Sequence, residues 1–545
     1  MLEMSLRFMG ALFSVTLLLP TQAASGLTSR NTEWKRLAYR PKLTSPVYPT
    51  SSNSNPVVDL GAYYNFTNIR YAAPPLAQLR FAAPQKPAVA DSSKSVDNGG
   101  TFSKACPQVI PEWEHRATDF VPSYLLARST NKERDFDTLS KEAALRYAGV
   151  ESEDCLFLDV LTPKSIFEHG IWIHSGGYVQ GSKTNDGDPA GLIKASNESL
   201  VFVAINYRLG AFGWLSGSVF QKQGGASNAA LYDQRLALQW VQDHITRFGG
   251  DPRRVTVMGE SAGGGSIMHQ ITAYGGKILD RPFGQAILQS PGFLPIVSES
   301  QQDSTFADFL KLAGVSNLTE ARNLPSSRLM VANANQVITA DYGTFVYGPA
   351  VDHSFVPDLP GHLLQRGASQ KGVKTMIGHN TNEGLYLVPE TIKTARNVKN
   401  ALRDAFPALS NSSIDSAVHT YYPISQFQDI TEQAAAIEAD LAFVCNTYYL
   451  KPDFSYVYGV FPALHGSDVA TTFYTGPDAN VLQHWIAEFA TGGQPFQSYG
   501  KGRSILLADN GTQVIQHEEG VKYHGSPKQD ETSTETTAPT ILTII

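Results

Sequence analysis

Residues 255–265 read VTVMGESAGGG, an apolar run that enters Gly259-Glu260-Ser261-Ala262-Gly263. A G-x-S-x-G pattern in this setting demands a sharp strand-to-helix turn with a serine at the top of a sheet, and bulky residues beside that serine would clash. Val255-Thr256-Val257 supplies the strand, and Ser261 caps the helix that follows. The bare pattern also occurs by chance, so its meaning rests on the other parts that a nucleophilic serine requires.

One such part is a set of donors for an oxyanion, drawn from a glycine-rich loop after an earlier strand. Ile171-Trp172-Ile173-His174-Ser175-Gly176-Gly177-Tyr178 fits that need. Its first residues read as a buried strand, and the two glycines leave backbone N–H groups free to approach a ligand.

The serine also needs a base, and the base an orienting acid, in the chain order serine, acid, histidine. After Ser261 the histidines are His269, His353, His362, His379, His419, His465, His484, His517 and His524. Local context favours His465, in a turn just after the apolar run Tyr456-Val457-Tyr458-Gly459-Val460. Two acids compete on spacing alone. Glu383 lies in a polar loop beyond a short apolar strand, and Asp352 lies in Gly348-Pro349-Ala350-Val351-Asp352-His353.

The chain resembles the type-B carboxylesterases, the family of cholinesterases, fungal extracellular lipases and neuroligin-like adhesion proteins. Besides the serine turn, the resemblance is carried by Glu153-Asp154-Cys155-Leu156-Phe157-Leu158-Asp159-Val160 and by Asn206-Tyr207-Arg208-Leu209-Gly210-Ala211-Phe212-Gly213. It continues through NAALYDQRLALQWVQDHITRFGGDP at residues 228–252 and extends over about residues 59–491. It implies an α/β-hydrolase fold: a large, mostly parallel central sheet flanked by helices, in a single domain with insertions. It also implies Ser261 as nucleophile, Glu383 as acid, His465 as base, and Gly176, Gly177 and Ala262 as oxyanion donors. The family usually carries a third glycine where this chain has Ser175; the donors that matter, Gly176 and Gly177, are kept.

The implied chemistry is hydrolysis of a carboxylic ester through an acyl-enzyme, with activity rising through roughly pH 6–7 as a histidine base becomes neutral. Other readings are an extracellular lipase, a hydrolase or acyl transferase acting on a complex natural product, and a non-catalytic adhesion protein on the same fold. Adhesion relatives typically lose the serine or its partners, whereas Ser261, Glu383 and His465 are all present.

Arg7, the apolar run at residues 8–19 and Pro20-Thr21-Gln22-Ala23-Ala24 read as a secretory signal peptide cleaved after Ala23. About 12 apolar residues are too few to span a bilayer, and no other stretch approaches that length. An extracellular or secretory-lumen protein is therefore expected. The sequons at Asn65, Asn197, Asn317, Asn411 and Asn510 agree with that compartment.

The cysteines are Cys106, Cys155 and Cys445. The resemblance implies a Cys106–Cys155 disulfide, in keeping with an oxidising compartment. Cys445, among apolar neighbours, is then expected to be a buried, inert thiol. The formal net charge of −7 is spread without long runs of either sign, which favours neither nucleic acid nor an anionic membrane surface. No phosphate loop, dinucleotide fingerprint or Cys/His metal spacing is present, so the expected partner is a small-molecule ester, with no cofactor and no metal.

Along the chain, residues 24–56 form a Ser/Thr/Pro-rich, loosely ordered lead-in, residues 57–522 the hydrolase domain, and residues 523–545 a Ser/Thr-rich tail. Residues 229–248 read as an amphipathic helix packed on the sheet. By resemblance, Arg80 with Glu153 and Arg208 with Asp233 are structural ion pairs. The segment between Cys106 and Cys155 is expected to cover the site; its charge favours esters of soluble or modest size over an oil surface. Trp113 does not match the spacing of a choline-site tryptophan, while Tyr178, Trp214, Phe293 and Phe355 are candidates for a pocket wall or for ordinary core.

Overall fold

The computed structural model describes residues 13–17, 57–59, 63–87, 104–128, 150–163, 170–174, 176–184, 187–277, 281–476, 478–492, 494–496, 503–508 and 511–516. The whole lead-in and the whole tail lie outside the described residues, as do Ser175 and Asn510. Of the expected signal peptide only Phe13–Leu17 is described.

In chain order the strands are β1 (Phe13–Leu17), β2 (Val57–Asp59), β3 (Tyr63–Arg70), β4 (Lys104–Ala105), β5 (Val150–Glu151), β6 (Phe157–Pro163) and β7 (Gly170–Ile173). They continue as β8 (Val201–Ile205), β9 (Thr256–Glu260), β10 (Gln285–Gln289), β11 (Lys374–Asn380), β12 (Phe454–Gly459), β13 (Arg503–Ala508) and β14 (Gly511–Gln516). All but β4 and β5, which pair with each other, join one sheet in the order β14-β13-β12-β11-β10-β9-β1-β8-β6-β3-β2, with β7 also on β8.

The strands β9 to β13 are parallel neighbours, and antiparallel pairs flank them on both sides. The central strands are near-continuous apolar runs because helices cover both faces: every residue of β6, β8 and β9 is buried. This is the α/β-hydrolase architecture. The strand β1 runs antiparallel to both β8 and β9. Beyond it, β7 pairs with the far end of β8, Trp172 opposite Ala204 and Ile173 opposite Ile205.

The helix expected over residues 229–248 is α-helical over Ala229–His244, and its last turn tightens into a 3₁₀ helix, Ile245–Phe248. Leu231, Leu238, Trp240, Val241 and Ile245 are buried in the main core, and Leu236 packs against it half-buried.

The two ion pairs lie inside the fold. Arg80 grips Glu153 through Nε–Oε2 at 2.7 Å and Nη2–Oε1 at 2.8 Å, and Arg208 grips Asp233 through Nε–Oδ2 at 2.8 Å and Nη2–Oδ1 at 2.7 Å. Two-pronged geometry of this kind satisfies charges that burial would otherwise penalise.

Cys106 and Cys155 form a disulfide. Cys445 is partly buried, and its surroundings push its thiol pKa well up, burial first and Asp440 second. A raised pKa favours the protonated thiol.

Of the sequon asparagines, Asn197 and Asn411 are exposed. Asn317 caps the helix Leu318–Arg322. Asn65 sits in β3, paired on one side with Val58 and on the other with Leu161, the setting least suited to a glycan.

Candidate active site

The strand β9 delivers Ser261 to the carboxyl end of the parallel block, and the helix Ala262–Thr272 leaves from the next residue. Ser261 has φ 55° and ψ −128°, a conformation that L residues rarely adopt. It is held there from three directions. Its N–H donates to the Gln289 carbonyl at 2.9 Å, and its own carbonyl accepts from Gly265 at 3.0 Å and from Gly292 at 2.9 Å.

His465 follows β12 on a loop that crosses back over the sheet end. Its Nε2 lies 2.8 Å from Ser261 Oγ, and its Nδ1 lies 2.5 Å from Glu383 Oε2. Glu383 is fully buried at the start of the short 3₁₀ turn after β11. Its other oxygen accepts from Ser290 Oγ at 2.5 Å and from the Asn380 N–H. Burial opposes its charge, but His465 and these donors prevail and hold the carboxyl below its ordinary value.

Asp352, the competing acid, is turned to its own loop. It accepts from Asn228 Nδ2 at 2.9 Å and from the N–H groups of Ser354 and Val356 at 2.8 and 2.9 Å. None of the other described histidines lines the site cavity. His269 is buried with Nδ1 2.7 Å from the Gly265 carbonyl, and burial pushes its pKa down to about 4. His362 pairs with Asp358 at 3.1 Å, and His517 and His524 are not described.

The glycine pair after β7 turns sharply under the cavity. Gly177 has φ +56°, and a Cβ there would stand 2.3 Å from the Phe345 ring. Gly176, with φ +118°, would bring a Cβ within 2.1 Å of the Gln180 carbonyl oxygen. Only glycine fits at either place. Gly176, Gly177, Ala262, Ser261 and His465 all line one cavity of about 320 Å³.

Its walls combine apolar side chains, among them Trp113, Phe293, Leu294 and Phe443, with polar ones such as Glu114 and Gln180. Of the four aromatic candidates, Tyr178 and Phe293 reach the cavity. Trp214 packs edge-on against Tyr178, and Phe355 packs against Tyr232 and Tyr274, both within the core. The Trp113 indole N–H donates to the Thr344 carbonyl at 2.7 Å, which anchors the helix Glu112–Arg128 over the site.

Three contributors were not singled out from the sequence. Glu260, beside the serine, is fully buried and places Oε1 3.3 Å from His465 Nε2. Phe443 stacks on the His465 ring at 4.2 Å between centroids, from a π-helical turn, Asp440–Val444. Glu114 lines the cavity with its carboxyl pushed up to about 7 by burial, against the lowering pull of Gln180 and His465. Among these only Glu260 was within reach of sequence reasoning, since it lies inside the serine motif.

Chemically, the arrangement is an alcohol at hydrogen-bond distance from an imidazole that a buried carboxylate orients, beside backbone N–H groups at the cavity wall. Among the described residues no cluster of three or more His, Cys, Asp or Glu is placed to hold a metal ion, and no helix is long and apolar enough to cross a membrane.

Comparison with known proteins gives the following matches. A model described as "Carboxylesterase family" matches residues 52–453. The protein called carboxylesterase patB from Penicillium expansum is 38% identical over 510 residues, 83% of this chain and 90% of that one. Lipase 1 of Geotrichum candidum is 29% identical over 510 residues, 84% of this chain and 88% of its own. A crystal structure of Aspergillus niger EstA superposes with a TM-score of 0.69 at 23% identity, covering 87% of this chain and 98% of that one; this likeness speaks for the fold.

Proposed function

Because this chain belongs to the carboxylesterase family and is a carboxylic ester hydrolase, we propose that it works through a Ser261–His465–Glu383 triad, with Gly176, Gly177 and Ala262 as oxyanion donors. The observation that carries this reading is the bridge made by one ring: His465 spans Ser261 Oγ at 2.8 Å and Glu383 Oε2 at 2.5 Å.

In this reading Ser261 Oγ attacks the ester carbonyl while His465 Nε2 takes its proton. The carbonyl electrons move onto oxygen, which lies against the three N–H groups. Collapse expels the alcohol, protonated by His465, and leaves an acyl-Ser261. Water then gives a proton to His465 and attacks the acyl carbon; collapse of this second intermediate breaks the bond to Ser261 Oγ, which takes the proton back from His465 as the acid leaves. Glu383 holds the Nδ1 proton and stabilises the ring while it is charged; Glu260 adds a second nearby carboxylate.

A cavity of about 320 Å³ suits an ester of modest size better than a long acyl chain. The greater identity to a protein named as a carboxylesterase than to one named as a lipase supports the same preference. Action on a complex natural product remains compatible with it, as hydrolase or acyl transferase. The test is hydrolysis of p-nitrophenyl esters from acetate to palmitate, with Ser261→Ala beside the wild type. Activity that peaks at short chains and vanishes in the variant supports the proposal; a palmitate optimum would favour the lipase reading, and activity surviving in the variant would remove Ser261 from its role.

We further read residues 1–23 as a signal peptide and the protein as secreted, the N-terminal pattern and the presence of a secreted lipase from Arthroderma benhamiae among the relatives being the support. Cleavage after Ala23 removes β1 and leaves β7 to extend between β8 and β9. Glycans are proposed at the exposed Asn197 and Asn411 and at Asn317. N-terminal sequencing of the secreted protein should begin at Ala24; retention of Phe13–Leu17 would overturn this part.

A further inference from the structure

The stretch that follows the crosslink at Cys106 runs beside the glycine turn and grips it at three points. The Val109 N–H donates to the Val179 carbonyl at 3.0 Å. The Gly181 N–H donates to Gln108 Oε1 at 2.8 Å. In the first turn of the helix Glu112–Arg128, both carboxyl oxygens of Glu114 lie 2.9 Å from Gln180 Nε2.

Gln180 also closes the turn from within. Its backbone N–H donates to the Gly176 carbonyl at 3.0 Å, joined by that of Val179 at 3.1 Å. The Gly176 carbonyl and the Gly177 N–H belong to one planar peptide unit. Whatever fixes the direction of that oxygen therefore fixes the direction of that N–H on the opposite side.

Both side chains are buried, Gln180 at 4% and Glu114 at 8% exposure, and both line the cavity. A carboxyl placed there costs free energy that no fold would spend on packing alone, since an apolar side chain would fill the same space more stably. The titratable groups that interact with it are His465 and the neutral Tyr386 hydroxyl.

We propose that Glu114 and Gln180 are a positioning pair: Glu114 clamps the Gln180 side chain, and Gln180 in turn aims the Gly177 N–H into the oxyanion hole. The proposal rests on the reading of Gly177 as an oxyanion donor. It makes residues 108–114, which follow the crosslinked Cys106, part of the catalytic scaffold. The clamp itself neither touches the scissile bond nor moves a proton.

The test is steady-state hydrolysis of p-nitrophenyl acetate by the full chain carrying Glu114→Ala, Gln180→Ala, both together, or Glu114→Gln, with Tm measured for each. A misaimed donor weakens only the transition state, so each alanine variant should lose at least about tenfold in kcat with KM within about threefold. The double variant should lose no more than the worse single one, because the two residues act as a unit. Glu114→Gln, whose amide oxygen still accepts from Gln180, should recover most of the loss. If Glu114→Ala does not fold, Gln180→Met removes the donor at similar volume and gives the same readout. A kcat within about twofold of wild type, a lowered Tm alone, losses that multiply, or a raised KM at constant kcat would each overturn the proposal. Failure of the wild type to turn over any ester would instead overturn the ester-hydrolase mechanism on which it rests.

Discussion

Glu260 Oε1 stands 3.3 Å from His465 Nε2, the same nitrogen that faces Ser261 at 2.8 Å. Burial works against a charged ring, but Glu260 and Glu383 outweigh it and hold the His465 pKa up at about 9. The base must be neutral to accept the serine proton, so a raised pKa moves the rising limb of kcat/KM to higher pH. The rising limb is therefore predicted to lie above the pH 6–7 expected from residue type alone. Glu260→Gln removes the largest raising influence and should bring the apparent pKa down by about one unit or more. A pH–rate profile that does not move between wild type and variant would exclude this coupling.

Ser261→Ala should leave a folded protein whose kcat/KM for p-nitrophenyl acetate falls by at least about 1,000-fold. Glu383→Gln should cost about as much without unfolding the chain, because the ring would lose the acceptor that sets its tautomer. Residual activity above about a tenth of wild type in either would argue for a different nucleophile or acid.

Gly177→Ala should cost on the order of 100-fold or more in kcat. The added carbon would lie 2.3 Å from Phe345 on a backbone with φ +56°, so the turn must shift to admit it. Comparison of kcat with KM, alongside circular dichroism, separates a lost oxyanion donor from a general loss of structure. Unchanged kcat in a folded variant would remove Gly177 from the hole.

Glu438 is 4% exposed, and burial pushes its carboxyl up to about 8. Its folded-state pKa thus exceeds its ordinary value, so the stability it lends is present below about pH 4.5 and is lost as pH rises through 8. Glu438→Gln fixes the neutral form. Its urea midpoint should fall less than that of wild type between pH 5 and pH 8, and parallel curves would contradict the assignment.

The Cys106–Cys155 crosslink closes a loop with a sequence separation of 49. By the loop-closure argument, its removal in Cys106→Ser with Cys155→Ser should lower stability by roughly 4 kcal/mol. Urea unfolding of the oxidised wild type and the double variant measures the difference, and coincident transitions would show that the loop is ordered by packing alone.

The serine turn, the glycine loop and the sheet were legible because each is a local pattern with a steric cause. Spacing alone did not separate Glu383 from Asp352, for both sit in polar loops; the family resemblance pointed to Glu383, and the folded chain shows Asp352 bonded to Ser354 and Val356 of its own loop. Glu114 was hidden in a charged run, and its partner Gln180 lies 66 residues away. Phe443 was hidden for another reason, since a π-helical turn breaks the 3.6-residue period by which a helix face is read. The end of the helix Ala229–His244 followed the same logic on a smaller scale, with apolar spacing continuing while the hydrogen bonding tightened.

The contact between Gly177 and Phe345 joins two parts of the chain that a protein engineer would treat as separate. One carries the proposed oxyanion donor and the other forms part of the cavity wall. A library that enlarges the pocket by shrinking Phe345 also withdraws the ring that backs the glycine turn. Selectivity and speed are thus mechanically coupled at this spot, and variants gaining room for a bulkier acyl group should need a second change that restores support beneath residue 177.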